Sequence, residues 1–495
     1  SIGAALVRLE RTDEGRQVLE GVVGELSDQP DEQVWAALNL SDVAFEAAER
    51  IDDDTRRWLD CALASAERAP DRDLAVGRCR ATEAQCLVRE LGPDAEPADL
   101  DAATAGFAEA RDLLTAHPED LVHAWAAEAW ARTNAGDLDG GLRLGPTAWE
   151  MACELGDDET IADVGRCYVQ LLAATDDRDR ALDVVARVQE AELSLGDRVA
   201  AAQTALVRAD LLREADRDEE ALPFAWEAAD LFAAAGEPGE ALWARLTAGR
   251  IFRILGQDAS AHDILSEVLE RAAEDADRRL EGAVALDLAR LLGEYGEFDE
   301  ALVSARRALD CMADDDSGSR GKVHRTLADL HQARGELRDA LAAGETAMTV
   351  LADDDDEAQV LAEVRQEHAD RLVMAGRPDR ALDFFTTARE AFAELELPLA
   401  VAGVDLGRAE AFAALGRTEE AVALAQSAET VGVTEEHPGL VADARWSVAT
   451  HSVPDASLYE WAIEAYREAG ASEEQLEFLR AQRDKALRPK SRWRR

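Results

Sequence analysis

A glycine or an aspartate returns along this chain at a nearly fixed interval. The positions are Gly136, Asp176, Asp216, Gly256, Gly296, Gly335, Gly376 and Gly416, with steps of 40, 40, 40, 40, 39, 41 and 40. Other positions keep the same register. Five residues after the turn stands Ala181, Ala221, Ala261, Ala301, Ala340, Ala381 or Ala421. Twelve after it stands Ala148, Val188, Ala228, Val268, Ala308, Ala347, Ala388 or Ala428. Seven before it stands Ala129, Val169, Ala209, Gly249, Ala289, Ala328, Ala369 or Ala409. A fixed period of this length restricts the chain to stacked units, each of which buries its apolar face only against its neighbours.

Within one period the apolar spacing predicts two amphipathic helices. The segment GEFDEALVSARRALD (296–310) is the start of one second helix. The Gly or Asp ends the helix before it, and small residues let the two helices approach closely. Stretches such as GEPGE (236–240) and LELP (395–398) separate one unit from the next. Weaker copies, RTDEGRQVLEGVV (11–23), RIDDDTRRWLDCALASA (50–66) and PADLDAATAGFAEA (97–110), extend the pattern upstream. About eleven helical pairs are expected over residues 1–438. A C-terminal helical cap (439–487) and a short basic tail (488–495) follow.

A small residue, a large apolar one three later, Gly four further on, then Ala at five and twelve beyond it: Ala289, Leu292, Gly296, Ala301 and Ala308 carry this order. It resembles the tetratricopeptide (TPR) repeat, over roughly residues 1–440 and most strongly in the last eight units. The resemblance implies an all-α fold, a right-handed α-solenoid of helix–turn–helix repeats. Two departures stand out. The period is near 40 rather than 34, and the family's early Trp is mostly absent. Trp125 fits it, while Gly165, Ala205 and Arg245 do not.

Composition excludes several function classes. The 104 acidic and 53 basic residues leave a formal charge of −51, which disfavours binding of nucleic acid by the body of the protein. No run of 18 apolar residues predicts a membrane span. The six cysteines, Cys61, Cys79, Cys86, Cys153, Cys167 and Cys311, form no CxxC pair and read as small buried thiols of a cytoplasmic protein. No catalytic motif is present: no P-loop, no GxSxG, no HExxH. His324 and His331 lie seven apart on one predicted helix, but a metal site would need further ligands, and none is expected. The acidic runs 52–54, 314–316 and 353–356 lack the glycine and distal glutamate of a calcium loop and read as helix-capping loops. The expectation is therefore a non-enzymatic scaffold without cofactor or metal.

The resemblance implies that the first helix of each unit lines a concave groove, and it marks three inward columns. Six before the turn come Trp130, Gln170, Asp210, Arg250, Arg290, Asp329, Asp370 and Glu410. Three before it come Thr133, Ala173, Arg213, Arg253, Gly293, Gln332, Val373 and Ala413. Thirteen before it come His123, Asp163, Gln203, Trp243, Ala283, Lys322, Glu363 and Gly403. These columns vary while the packing columns stay fixed. Arg213, Arg250, Arg253 and Arg290 form a cationic island, followed by the acidic residues Asp329, Glu363, Asp370 and Glu410. The arginines either hold an acidic group of a protein or peptide partner or neutralise neighbours such as Asp210 and Glu214. The expected function is binding of a peptide or protein segment in the groove. The alternative is a peptide- or ligand-sensing regulator. Self-association is compatible with both. The tail RPKSRWRR (488–495) reads either as a contact for nucleic acid, an anionic membrane surface or an acidic protein, or as a solvated end.

Overall fold

A computed structural model describes residues 12–48, 50–92, 96–175, 177–313, 316–352, 354 and 357–488. Among them there are helices and no strand. The chain divides into two compact units, residues 1–257 and 258–495.

The first unit holds α1 (Thr12–Glu25), α2 (Pro30–Ala48), α3 (Asp53–Ala66), α4 (Arg72–Leu91), α5 (Pro97–Leu113), α6 (Pro118–Asn134) and α7 (Leu138–Leu155). It continues with α8 (Asp158–Ala173), α9 (Arg178–Leu195), α10 (Arg198–Glu214), α11 (Asp218–Ala235) and α12 (Pro238–Ile254). The second unit holds α13 (Asp258–Glu274), α14 (Arg278–Glu294), α15 (Phe298–Cys311), α16 (Ser317–Ala333), α17 (Leu337–Leu351) and α18 (Ala358–Met374). It ends with α19 (Pro378–Glu394), α20 (Pro398–Ala414), α21 (Thr418–Thr434), α22 (Pro438–His451), α23 (Ala456–Glu468) and α24 (Glu473–Ala486). From α2 to α11 and from α14 to α23, each even-numbered helix forms a hairpin with the helix after it. The expected start of the cap, residue 439, lies at the beginning of α22.

The hairpin of α14 and α15 shows why the sequence folds this way. The Asp277 carboxylate accepts from the Leu280 backbone N–H at 3.0 Å and caps α14. Leu280, Val284, Leu288 and Leu291 then line its buried face. Gly296 takes φ +81, and the Glu297 N–H returns to the Leu292 carbonyl at 2.9 Å. This is a Schellman stop, which needs a residue tolerant of left-handed backbone. In α15, Ala301, Ala305 and Ala308 are fully buried.

The same stop recurs at Gly136, Asp216, Gly256, Gly335, Gly376 and Gly416, all with positive φ. Asp176 lies outside the described residues. A second set of stops ends the odd-numbered helices, at Gly156, Gly196, Gly236, Ala276, Glu396 and Glu436. All seven alanines five after the turn have no exposed surface. The residues twelve after and seven before are buried as well. Of the acidic runs, Asp52 and Asp316 cap α3 and α16 as expected, while residues 314, 315, 353, 355 and 356 lie outside the described residues.

The cysteines need one correction. All six are free, and Cys79, Cys86 and Cys311 are buried, but Cys61 and Cys167 are half-buried and Cys153 is exposed. Cys153 sits near the end of α7, on its solvent side, where the repeat demands no apolar residue. Burial pushes the Cys79 and Cys86 thiols up to about 12, which keeps them protonated and unreactive. No helix among the described residues is long and apolar enough to cross a membrane.

Candidate functional site

The three variable columns fall on the even-numbered helices. None of their residues belongs to the buried class, whereas every described member of the fixed columns does. The repeat therefore separates a packing face from an accessible face on the same helix. Two antiparallel helices per period, a left-handed stop between them and small buried residues at fixed offsets make the helix–turn–helix repeat that the TPR resemblance implies. The missing early Trp of the TPR pattern has a local cause at Gly165. A Cβ there would lie 2.2 Å from Val188 Cγ2 and 2.9 Å from Trp149 Cζ3. The aromatic bulk arrives from α7 instead of from α8 itself.

In the first unit this accessible face opens into a cleft of about 450 Å³. Three consecutive first helices build it: Phe45 and Glu46 from α2, Val88 and Arg89 from α4, and Trp130, Ala131 and Asn134 from α6. Arg89 stacks over the Phe45 ring at 4.6 Å and bonds to Glu46. Trp130 is the one column residue that the sequence placed here. Arg89, Phe45 and Glu46 were missed because the repeat signal is weak before residue 118.

The arginine island divides between the units. Arg213, Arg250 and Arg253 lie on α10 and α12 of the first, and Arg290 on α14 of the second. All four are half-buried, and none is without a partner. Arg213 bonds to Asp210 on its own helix at 3.0 Å. Arg290 reaches Thr326 Oγ1 at 3.4 Å and Asp287 at 3.9 Å.

In the second unit the acidic residues tie neighbouring helices together. Arg371 is 2% exposed; it donates to Gln332 at 2.8 Å and bonds to Asp329. Arg325 holds Glu363 at 2.7 Å and Glu367 at 2.9 Å. Glu410 meets His451 Nε2 at 2.7 Å. Of the remaining column residues, Gln170 is exposed on α8 and Trp243 is half-buried on α12.

Among the described residues, three carboxyls are held above their usual range, Asp42, Glu367 and Asp370, and all lie on first helices. Desolvation by the surrounding protein is the main cause in each. It pushes Asp42 up to about 6 against the pull of Arg89, and Asp370 up to about 6 against Arg371. Asp42 and Asp370 are nonetheless open to water. A carboxyl that is both accessible and desolvated stands on a recessed wall.

A larger cleft, about 660 Å³, lies between α22, the turn after α23 and α24, lined by Asp443, Tyr466, Phe478 and Leu479 among others. It contains no column residue. The basic tail beyond Arg488 lies outside the described residues.

No protein-family model matches the chain, and no curated protein sequence does. Solved structures of similar fold include a signal-transduction ATPase with numerous domains and a tetratricopeptide repeat sensor, from Pyrococcus horikoshii. It is 13% identical, the match covers 87% of this chain and 71% of that one, and the TM-score is 0.49. Yeast Tom70 is 13% identical over 98% of this chain and 94% of its own, with TM-score 0.41. A Rap protein complexed with competence and sporulation factor is 13% identical over 74% and 100%, with TM-score 0.44. All three are 13% identical, with TM-scores below 0.5.

Proposed function

We propose that the chain is a protein-interaction scaffold that takes a peptide or protein segment along the accessible face of its first helices, the concave side of a TPR superhelix. The observation that carries this reading is the cleft of Phe45, Arg89 and Trp130. Side chains from three successive first helices converge there on one recess with apolar walls and a polar rim, the form that an anchor pocket for a side chain takes. The variable columns continue from it through Gln170, Asp210 and Trp243.

The arginine island is the second contact, for an acidic group of the partner over Arg213, Arg250 and Arg253 of the first unit. Asp210 is 57% exposed, so exchanging the Arg213–Asp210 pair for a partner carboxylate costs little. Each charge-assisted hydrogen bond would contribute about 1.5–3 kcal/mol, less where water screens it.

The test begins with peptides selected on the wild-type protein from a random displayed library. Their affinity is then measured for Trp130→Ala, Arg250→Ala and the control Arg306→Ala. Arg306 is the better control than Arg307, which already bonds to Glu281 at 2.8 Å. We expect at least about a tenfold loss for Trp130→Ala and Arg250→Ala, little change for the control, and marked salt dependence for acidic peptides. Equal affinities in all four proteins would defeat the proposal. A compaction in small-angle scattering on peptide binding would favour the regulator over the passive scaffold.

A further inference from the structure

We propose that His331, Glu336 and Asp339 form a binding site for a divalent transition-metal ion. The three side chains meet across the stop between α16 and α17. One ligand atom from each lies within 4.8 Å of the others. Two ligands of one Zn²⁺ ion, with bonds of about 2.1 Å, stand at most about 4.2 Å apart. Asp339 is exposed, so a small rotation of its side chain closes the difference.

The backbone fixes the other two. Gly335 takes φ +85, and the Glu336 N–H bonds to the His331 carbonyl at 2.8 Å. The ring follows, with His331 Nδ1 at 2.8 Å from Glu336 Oε2. Arg334 Nε holds the other oxygen, Oε1, at 3.1 Å while Arg334 Nη1 bonds to Asp299 at 2.7 Å. Glu336 is thus oriented from behind with one oxygen turned to the imidazole, as outer-shell donors orient metal-binding carboxylates. The charge of Arg334 is offset by Asp299.

An independent observation comes from the repeat itself. Four residues before the turn the chain places Arg132, Leu172, Leu212, Phe252, Leu292, His331, Leu372 and Phe412. This is an apolar position in six of eight repeats. Arg132, the other exception, is taken up by Glu128 and Asp137. Two repeats carry carboxylates both one and four residues after the turn: Glu297 and Glu300 follow Gly296, and Glu336 and Asp339 follow Gly335. Only the second has a ligating side chain, His331, four before the turn, where the first has Leu292.

The donor set names the class of ion. Imidazole nitrogen with two carboxylates suits Zn²⁺, Co²⁺ or Ni²⁺, whereas Mg²⁺ and Ca²⁺ prefer all-oxygen sites. In a chain of charge −51 this difference separates one site from diffuse attraction of cations to carboxylates. His324, on the same helix, is not part of the group.

The test uses Co²⁺ with the full chain in excess Mg²⁺, which occupies non-specific carboxylates. Binding is followed by calorimetry and by the visible absorption of Co²⁺. The expected result is one saturable Co²⁺ per chain, lost in His331→Gln and weakened at least about tenfold in Asp339→Asn, with His262→Gln unaffected. Asp339 is exposed, so its variant tests the site without threatening the fold. Absence of saturable binding in wild type overturns the proposal, and so does equal binding in His331→Gln or Asp339→Asn.

Discussion

The two units are made from one hairpin, yet one arginine on a first helix of each, Arg89 and Arg371, is used in opposite ways. In the first unit, Arg89 lies over Phe45 beside an open cleft, and its partner Glu46 is 64% exposed. In the second, Arg371 is sunk to 2% exposure between two helices and fastens Asp329 and Gln332 from 42 and 39 residues away. Both stand near the C-terminal end of a first helix, and depth separates them. An arginine at the surface of this face is available to exchange partners, while one beneath it works as a tie between repeats. Under the proposed function, accessible columns mark where a ligand lies, and burial of their partners decides which stretches are free to bind one.

The largest effect should come from cutting the tie. Arg371→Leu leaves Asp329 and Gln332 without their donor. Removing one member of a fully buried pair costs about 3–5 kcal/mol. Because Asp329 is 58% exposed, we expect about 2–3 kcal/mol, read by urea unfolding and by faster amide exchange in α16 and α18. Arg89→Leu should cost below about 1 kcal/mol, since its ion pair stands at the surface. Equal losses in the two variants would break the contrast between a binding face and a tied one.

Acid should act on the second unit first. His368 on α18 is fully buried, its ring edge-on to Phe384 at 4.8 Å, and neither ring nitrogen has a hydrogen-bond partner. Burial holds its pKa below the ordinary 6.5, with Arg371 and Arg380 adding to this and Glu345 opposing. The neutral ring is the folded form, so this contribution is complete above about pH 6.5 and is lost as pH falls through the depressed folded value. The slope is at most about 1.4 kcal/mol per pH unit. Asp370 and Glu367 act with the opposite sign, because their raised values make the folded state bind protons. They are common to both proteins compared, so the difference between wild type and His368→Leu isolates the histidine. We expect wild type to lose stability relative to His368→Leu on the acid side, with amide exchange rising in α18 and α19. A constant difference across pH would exclude the role.

The sequence made the period, the turns and the packing columns legible, because each is a local demand repeated many times. Ala301 and Ala381 could be assigned to the core from register alone. Individual side chains were less legible. Arg371 stands five residues before its turn and Arg325 ten before, outside the columns that the repeat marks, and a long side chain reaches its partner through space rather than through register. The wall of the cleft from α2 and α4 was hidden for another reason. Their hairpins depart from the 40-residue spacing, since α2, α4 and α6 begin at Pro30, Arg72 and Pro118, so no column could be extended to Arg89.

The smallest expected effect lies in the stops between hairpins, where the units differ again. The first unit turns on Gly156, Gly196 and Gly236, with φ of +70, +77 and +86. At the same interval the second unit has Ala276, Glu396 and Glu436, at φ +57, +56 and +52. An L-residue in this region costs about 1 kcal/mol, and glycine returns part of that through the greater freedom of its unfolded chain. Ala276→Gly, Glu396→Gly and Glu436→Gly should each stabilise by about 0.5 kcal/mol, and the three should nearly add because the sites are far apart in the chain. The reverse change, Gly196→Ala, should cost about 1 kcal/mol. No atom lies within 4 Å of a Cβ built at Gly196, so only the backbone conformation opposes the methyl group. Chemical denaturation of the four variants decides the point. If Gly196→Ala is neutral while the glycine variants gain nothing, turn strain does not distinguish the units, and their difference rests on the buried arginines alone.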